Sequence, residues 1–189
     1  MKRLTQAMLA GCVAGAAVLT VVPQTASATV KTTPTAAAKM TQKQQLGQAR
    51  AATARFRLPA AAVKGGYVAT TMCVAMPGVG GMGYHYVNPA NIADGVLNIR
   101  RPEALVYVRT GSGLRLGAVE YFKPDADKDL NTDTDRPSLF GRAFDGPMLG
   151  HDAGMPIHYD LHVWLYKRNP TGMFATWNPS VACPAVGHH

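Results

Sequence analysis

The chain has 189 residues, of which 47% are hydrophobic and 16% charged, and its formal net charge is +8. That length suits one domain with a substantial core and is short for two. The positive charge is uneven: residues 29–65 hold seven Lys or Arg and no acid, whereas residues 66–189 hold ten against eleven acidic residues. The main body is therefore nearly neutral, with no basic, aromatic-laced sheet face, so no nucleic-acid partner is expected.

Lys2 and Arg3 open the chain, an uncharged apolar run follows from Ala7 to Val22, Pro23 breaks it, and Ala26-Ser27-Ala28 supplies a small-x-small cleavage site. That order of charged, apolar and small residues is expected of a secretory signal peptide over 1–28, with the mature protein starting near Thr29. Leu9-Ala10-Gly11-Cys12 offers a minor alternative, a lipid anchor through Cys12, but most of the apolar run lies beyond that cysteine. No later stretch is long and apolar enough to span a membrane as a helix. Residues 29–40, rich in Thr, Ala and Lys, read as a flexible leader.

A single α+β domain is expected over 41–185, with a helical part over 41–65 and a sheet part over 66–185. Thr41 and Gln44 make a capping box, and the good helix formers of 42–57 place Leu46, Ala49, Thr53 and Phe56 on one face. Pro59 starts a second short helix over 60–64, which Gly65-Gly66 stops.

From Tyr67 the pattern turns extended. Strands are expected over 67–74 and 84–87, with the Gly-rich stretch 76–83 as a connection and Asn88-Pro89 as a stop. Residues 104–109 and 114–122 flank Thr110-Gly111-Ser112-Gly113 as a hairpin. Residues 123–156 are rich in Asp, Gly and Pro, lack periodicity and read as one long loop. The alternation through Ile157, Tyr159, Leu161, Val163 and Leu165 marks a last strong strand over 157–167, and 173–177 reads as a further extended piece. The helical segment packed on an antiparallel sheet gives the fold class. Cys73 and Cys183 remain after signal removal, and an exported chain meets oxidising conditions, so they are expected to form a disulfide.

Several strings stand out: Gly83-Tyr84-His85-Tyr86-Val87-Asn88-Pro89, Arg101-Pro102-Glu103-Ala104-Leu105-Val106-Tyr107, Ala118-Val119-Glu120-Tyr121, Leu161-His162-Val163-Trp164-Leu165-Tyr166 with Asn169-Pro170, and Trp177-Asn178-Pro179 before Cys183. Together, over about residues 45–183, the chain resembles a family of exported bacterial proteins. The resemblance implies export and brings no activity, cofactor or catalytic residue.

Three ionisable side chains interrupt greasy strand patterns: His85 between Tyr84 and Tyr86, Glu120 between Val119 and Tyr121, and His162 between Leu161 and Val163. By strand alternation Glu120 is expected to share a face with Leu116, Ala118 and Phe122, and His162 with His158, Asp160, Trp164 and Tyr166. An ionisable group in such a row needs a partner or a changed protonation state. Either His85, Glu120 and His162 converge on a divalent transition metal or a small ligand, or each is satisfied separately by a core hydrogen bond. Asp160 lies two residues from His162 and can support it. His158 lies about 13 Å from His162 along a straight strand, too far to share one ion, and His151 belongs to the long loop.

Asp125, Asp127 and Asp129 begin an alternating acidic run that suggests calcium, but an EF-hand would need Gly where Leu130 stands and Glu where Arg136 stands. No nucleophile-elbow serine and no His-Glu-x-x-His string occurs. The expectation is an exported domain that binds a metal or small ligand through a His/Glu pocket. An extracellular metal-dependent enzyme built on the same residues, or a surface interaction protein without a pocket, are the alternatives.

Overall fold

The computed structural model describes residues 39–151 and 154–184. The expected signal peptide, the lipid-anchor alternative at Cys12 and nearly all of the expected leader lie outside them. Among the described residues no helix is long and apolar enough to cross a membrane.

Helix α1 spans Gln42–Thr53. At its start Thr41 Oγ1 accepts from the Gln44 N–H (3.3 Å), and Gln44 Oε1 accepts from the Thr41 N–H (2.8 Å), which satisfies two end donors at once. A 3-10 turn, Ala54–Phe56, leads to helix α2, Pro59–Lys64, with proline in the first turn where no N–H partner is needed. Ala49, Thr53, Phe56 and Ala62 are buried.

The strands are β1 (Val68–Met76), β2 (Gly80–Val87), β3 (Ala104–Thr110), β4 (Gly113–Pro124), β5 (Ser138–Leu139), β6 (Arg142–Ala143), β7 (Asp145–Met148) and β8 (His158–Val163). Six form one antiparallel sheet in the order β1-β2-β3-β4-β8-β7, and β5 pairs with β6. One sheet face carries the main core: Leu105, Tyr107, Val119, Tyr121, Tyr159, Leu161 and Val163 pack with Ala49, Phe56 and Ala62 of the helical segment. At one end of the opposite face, Val106, Val108, Ala118 and Trp164 pack with Val181 from the C-terminal segment. That segment runs against β2, where Asn178 bridges to Gly81. A side chain at Gly80 or Gly81 would strike the backbone of residues 178–181, hence two glycines there. Cys73 on β1 is bonded to Cys183, closing 110 residues of chain, worth about 4–5 kcal/mol in the chain-entropy picture.

The structure departs from several sequence expectations. The connection expected over 76–83 is mostly strand, and only residues 77–79 turn. Asn88-Pro89 does more than stop a strand: Asn88 Oδ1 accepts from Ala90 N (3.1 Å) and Asn91 N (3.2 Å), capping helix α3, Pro89–Asp94. The stretch 123–156 holds β5, β6 and β7 and lends Phe140 and Phe144 to the core. Isolated aromatics between tight turns carry no periodic signal. The last strand ends at Val163, and 173–177 forms no strand.

Two face assignments also change. A register shift between Val106 and Tyr107 of β3 falls opposite Gly117, so Leu116 packs in the helix-side core while Ala118 packs on the other face. A bulge reverses alternation within one strand. Tyr166, beyond the end of β8, turns to the helices and donates to Arg50 O at 2.7 Å.

Candidate metal centre

Strand pairing brings the three candidate side chains together. Glu120 sits opposite His162 across β4 and β8, and opposite Ala104 across β4 and β3. His85 on β2 sits opposite Val106 of β3. Strands two apart are about 9.6 Å apart, so His85 and Glu120 must reach toward each other over β3, where the small Ala104 leaves room. His85 Nε2 lies 3.4 Å from Glu120 Oε2, and His162 Nε2 lies 3.9 Å from the same oxygen. The two imidazoles meet edge to face, with ring centroids 5.9 Å apart. Among the described residues this is the one set of three or more such side chains whose ligand atoms all lie within 4.8 Å of one another.

The other histidines and Asp160 extend this row. His162 Nδ1 faces Asp160 Oδ1 at 3.8 Å, and His158 Nε2 faces Asp160 Oδ2 at 3.9 Å. His158 Nδ1 is 3.0 Å from Pro156 O, and its ring stacks on Phe122. His158 is thus tied to the backbone at the far end and is no member of the triad. The exposed His151 lies beside His158, with ring centroids 5.3 Å apart.

His158, Asp160 and His162 are fully buried, and Glu120 and His85 nearly so. Six of their polar atoms have no hydrogen-bond partner among the described residues: His85 Nε2, His158 Nε2, both Asp160 oxygens and both His162 ring nitrogens. Each such buried atom costs about 1–3 kcal/mol if nothing binds it. The gaps of 3.4–3.9 Å are too long for hydrogen bonds. Two ligands on a tetrahedral ion with bonds of about 2.0–2.2 Å stand roughly 3.3–3.6 Å apart, so the His85–Glu120 gap fits and the His162–Glu120 gap needs a closure of a few tenths of an ångström. This donor set could hold a metal ion.

Burial, reinforced by the positive charge on His162, pulls the His85 pKa down to about 3, so its imidazole is neutral and its contact with Glu120 is no ion pair. Burial also works against charge on His162, but the Glu120 and Asp160 carboxylates on either side outweigh it and raise its pKa. Burial pushes the Glu120 carboxyl up, with His162 opposing. For Asp160, burial is outweighed by His162 and His158, and its pKa falls. The carboxylates of Glu120 and Asp160 thus favour a proton on His162, which an incoming cation would displace.

The sheet face above the triad opens into a cavity of about 440 Å³. His85 and Glu120 line it, as do Phe122, Ile92 of α3, His151 and Met155. Glu103, which escaped the sequence reading, lines it too. It is 1% exposed, one oxygen accepts from the Phe122 N–H (3.2 Å), and burial raises its pKa to about 8. The available signal was an acid directly before the apolar run Ala104-Leu105-Val106-Tyr107.

The acidic run builds no comparable cluster. Asp127 accepts from Asp129 N (3.0 Å) and Thr132 Oγ1 (2.6 Å), and Asp129 accepts from Asn131 N (3.0 Å) and Nδ2 (2.8 Å). Those two carboxylates are spent on turns, while Asp125 is buried nearby.

No protein-family model, no curated protein and no solved structure matches the chain.

Proposed function

We propose that this is an exported metal-binding protein whose site, His85, Glu120 and His162, holds one divalent transition metal ion. The observation that carries the reading is the concentration of unpartnered, fully buried polar atoms on and beside the three side chains that stand at ligand spacing. Two imidazoles and one carboxylate suit zinc and its neighbours in the first row, and not calcium, which takes six to eight oxygens. Asp160 stands 3.8 Å behind His162 Nδ1, and closing that gap as the metal binds would make it the outer partner that fixes the tautomer and leaves Nε2 for the metal. Three protein ligands leave a coordination position open, and His85 and Glu120 direct it to the cavity. Export rests on the charged–apolar–small order of residues 1–28 and fits the Cys73–Cys183 disulfide.

The test starts from tag-free protein recovered from the medium of an expressing bacterial culture, with an intact mass that places its N-terminus near Thr29. Zinc should bind at one ion per chain and raise the melting temperature, and cobalt should give the visible absorption of a four-coordinate site. His162→Ala and His85→Gln should each weaken zinc binding by at least tenfold with the circular dichroism spectrum retained. Zinc that neither binds at one per chain nor shifts the melting temperature overturns the metal reading, as does equal binding by both variants.

A further inference from the structure

We propose that the cavity over the His85/Glu120/His162 site takes a small amphiphile whose anionic head group ligates the bound metal and whose apolar body fills the space between β1, α3 and Met155-Pro156. The inference rests on the metal reading and deepens it.

Three observations carry it. The first is size and shape: about 440 Å³ lies within the range of small-molecule sites. The second is polarity. Met72, Val74, Val87, Ile92, Phe122 and Met155 supply an apolar wall, His85, Glu120 and Glu103 line the same space, and Thr70 and His151 are the other polar side chains on it. A ligand that matches this wall is greasy over most of its length and polar at one end.

The third observation is charge. None of the described residues lining the cavity is Lys or Arg, and two are carboxylic acids. An anion entering the metal-free protein meets no lysine or arginine among these lining residues and faces Glu120, whose carboxylate stands between it and the protonated His162. With a divalent ion held by one carboxylate and two neutral imidazoles, the same place carries a net positive charge and an open ligand position. His162 does not line the cavity and lies beneath it, fully buried, so the open side of such an ion faces the cavity. The head group is therefore a carboxylate or a comparable anionic chelator, and its binding depends on the metal.

Isothermal titration with octanohydroxamate and acetohydroxamate separates the contributions. Zinc-loaded protein should bind octanohydroxamate at one per chain, at least about 100-fold tighter than acetohydroxamate, because the longer chain buries six more methylene groups. Metal-free protein should bind octanohydroxamate at least tenfold more weakly than the zinc form. Ile92→Trp, or Val74→Phe as an independent block from the β1 side, should abolish the advantage of the longer chain and leave zinc stoichiometry at one. If zinc binds but the two hydroxamates bind alike, or octanohydroxamate binds equally with and without zinc, this inference fails and the metal site stands. If zinc itself does not bind, both fall.

Discussion

On one face of the sheet, Tyr107, Tyr121 and Tyr159 lie among Val119, Leu161 and Val163, and each hydroxyl has a partner: Tyr107 donates to Phe56 O, Tyr121 to Ile99 O at 2.7 Å and Tyr159 to Asp135 Oδ1 at 2.9 Å. One residue along the same strands, the opposite face carries Glu120, His158, Asp160 and His162, equally buried, with six polar atoms of this face and of His85 left without a partner among the described residues. Backbone, strand order and burial are shared by the two faces, so none of these explains the difference. A fold that satisfies each of these three hydroxyls on one side can pair buried groups. The unpaired groups on the other side are explained if their partner comes from outside the chain, since leaving them bare costs about 1–3 kcal/mol apiece.

The contrast can be broken most forcefully from the apolar side. Phe140 is 1% exposed, packs against Tyr121 with ring centroids 5.4 Å apart, and reaches this core from the connection between β4 and β8. Phe140→Ala should cost about 3–5 kcal/mol in urea unfolding, with zinc affinity of the folded fraction unchanged. A loss below about 1 kcal/mol would mean that residues 138–145 only drape over a core completed without them.

The polar side should respond in the opposite way. Replacing Glu120 with Met, His162 with Leu and Asp160 with Leu together removes His162 and both carboxylates that flank it and fills the space with carbon. Such exchanges are often neutral or stabilising, by about 1–4 kcal/mol. The triple variant should therefore unfold at the same or higher urea concentration than the metal-free parent and bind no zinc. A marked loss of stability would show that these groups stabilise the fold themselves, and the two faces would then obey one rule.

How much of this could be read from the chain divides along the same line. The capping box at Thr41 and Gln44, the hairpin around Gly111-Ser112 and the alternation through His158–Val163 are local patterns, and local patterns survive in sequence. Alternation also marked His85, Glu120 and His162 as polar intrusions. Their meeting point depended on β2 and β8 flanking the β3–β4 hairpin, which is a non-local matter. The face of Leu116 was misread because the irregularity opposite Gly117 inserts a residue without altering the apolar pattern. Phe140 and Phe144 were missed because each stands alone between turns. Glu103 was missed because an acid just before a strand looks like turn chemistry, and its burial comes from what packs over it.

Glu103 gives the finest probe of the contrast, through a slope and not a drop. Its carboxyl titrates near 8, against an ordinary value of 4.5, chiefly because burial disfavours the charge; Asp94 and Glu120 add to that, and the hydrogen bond from Phe122 N–H opposes it. The folded protein thus keeps a proton that the unfolded chain releases. Stability from this group is fully present below about pH 4.5, declines as pH rises, and is gone once pH passes about 8. Glu103→Gln keeps the shape and removes the titration, so in metal-free protein the variant should gain on the parent steadily between pH 5 and pH 8. Urea unfolding at those two values measures the gain. Parallel pH profiles would place a charged Glu103 in contact with water, and the cavity it lines would then be a wet groove and not the dry, greasy wall that an amphiphile requires.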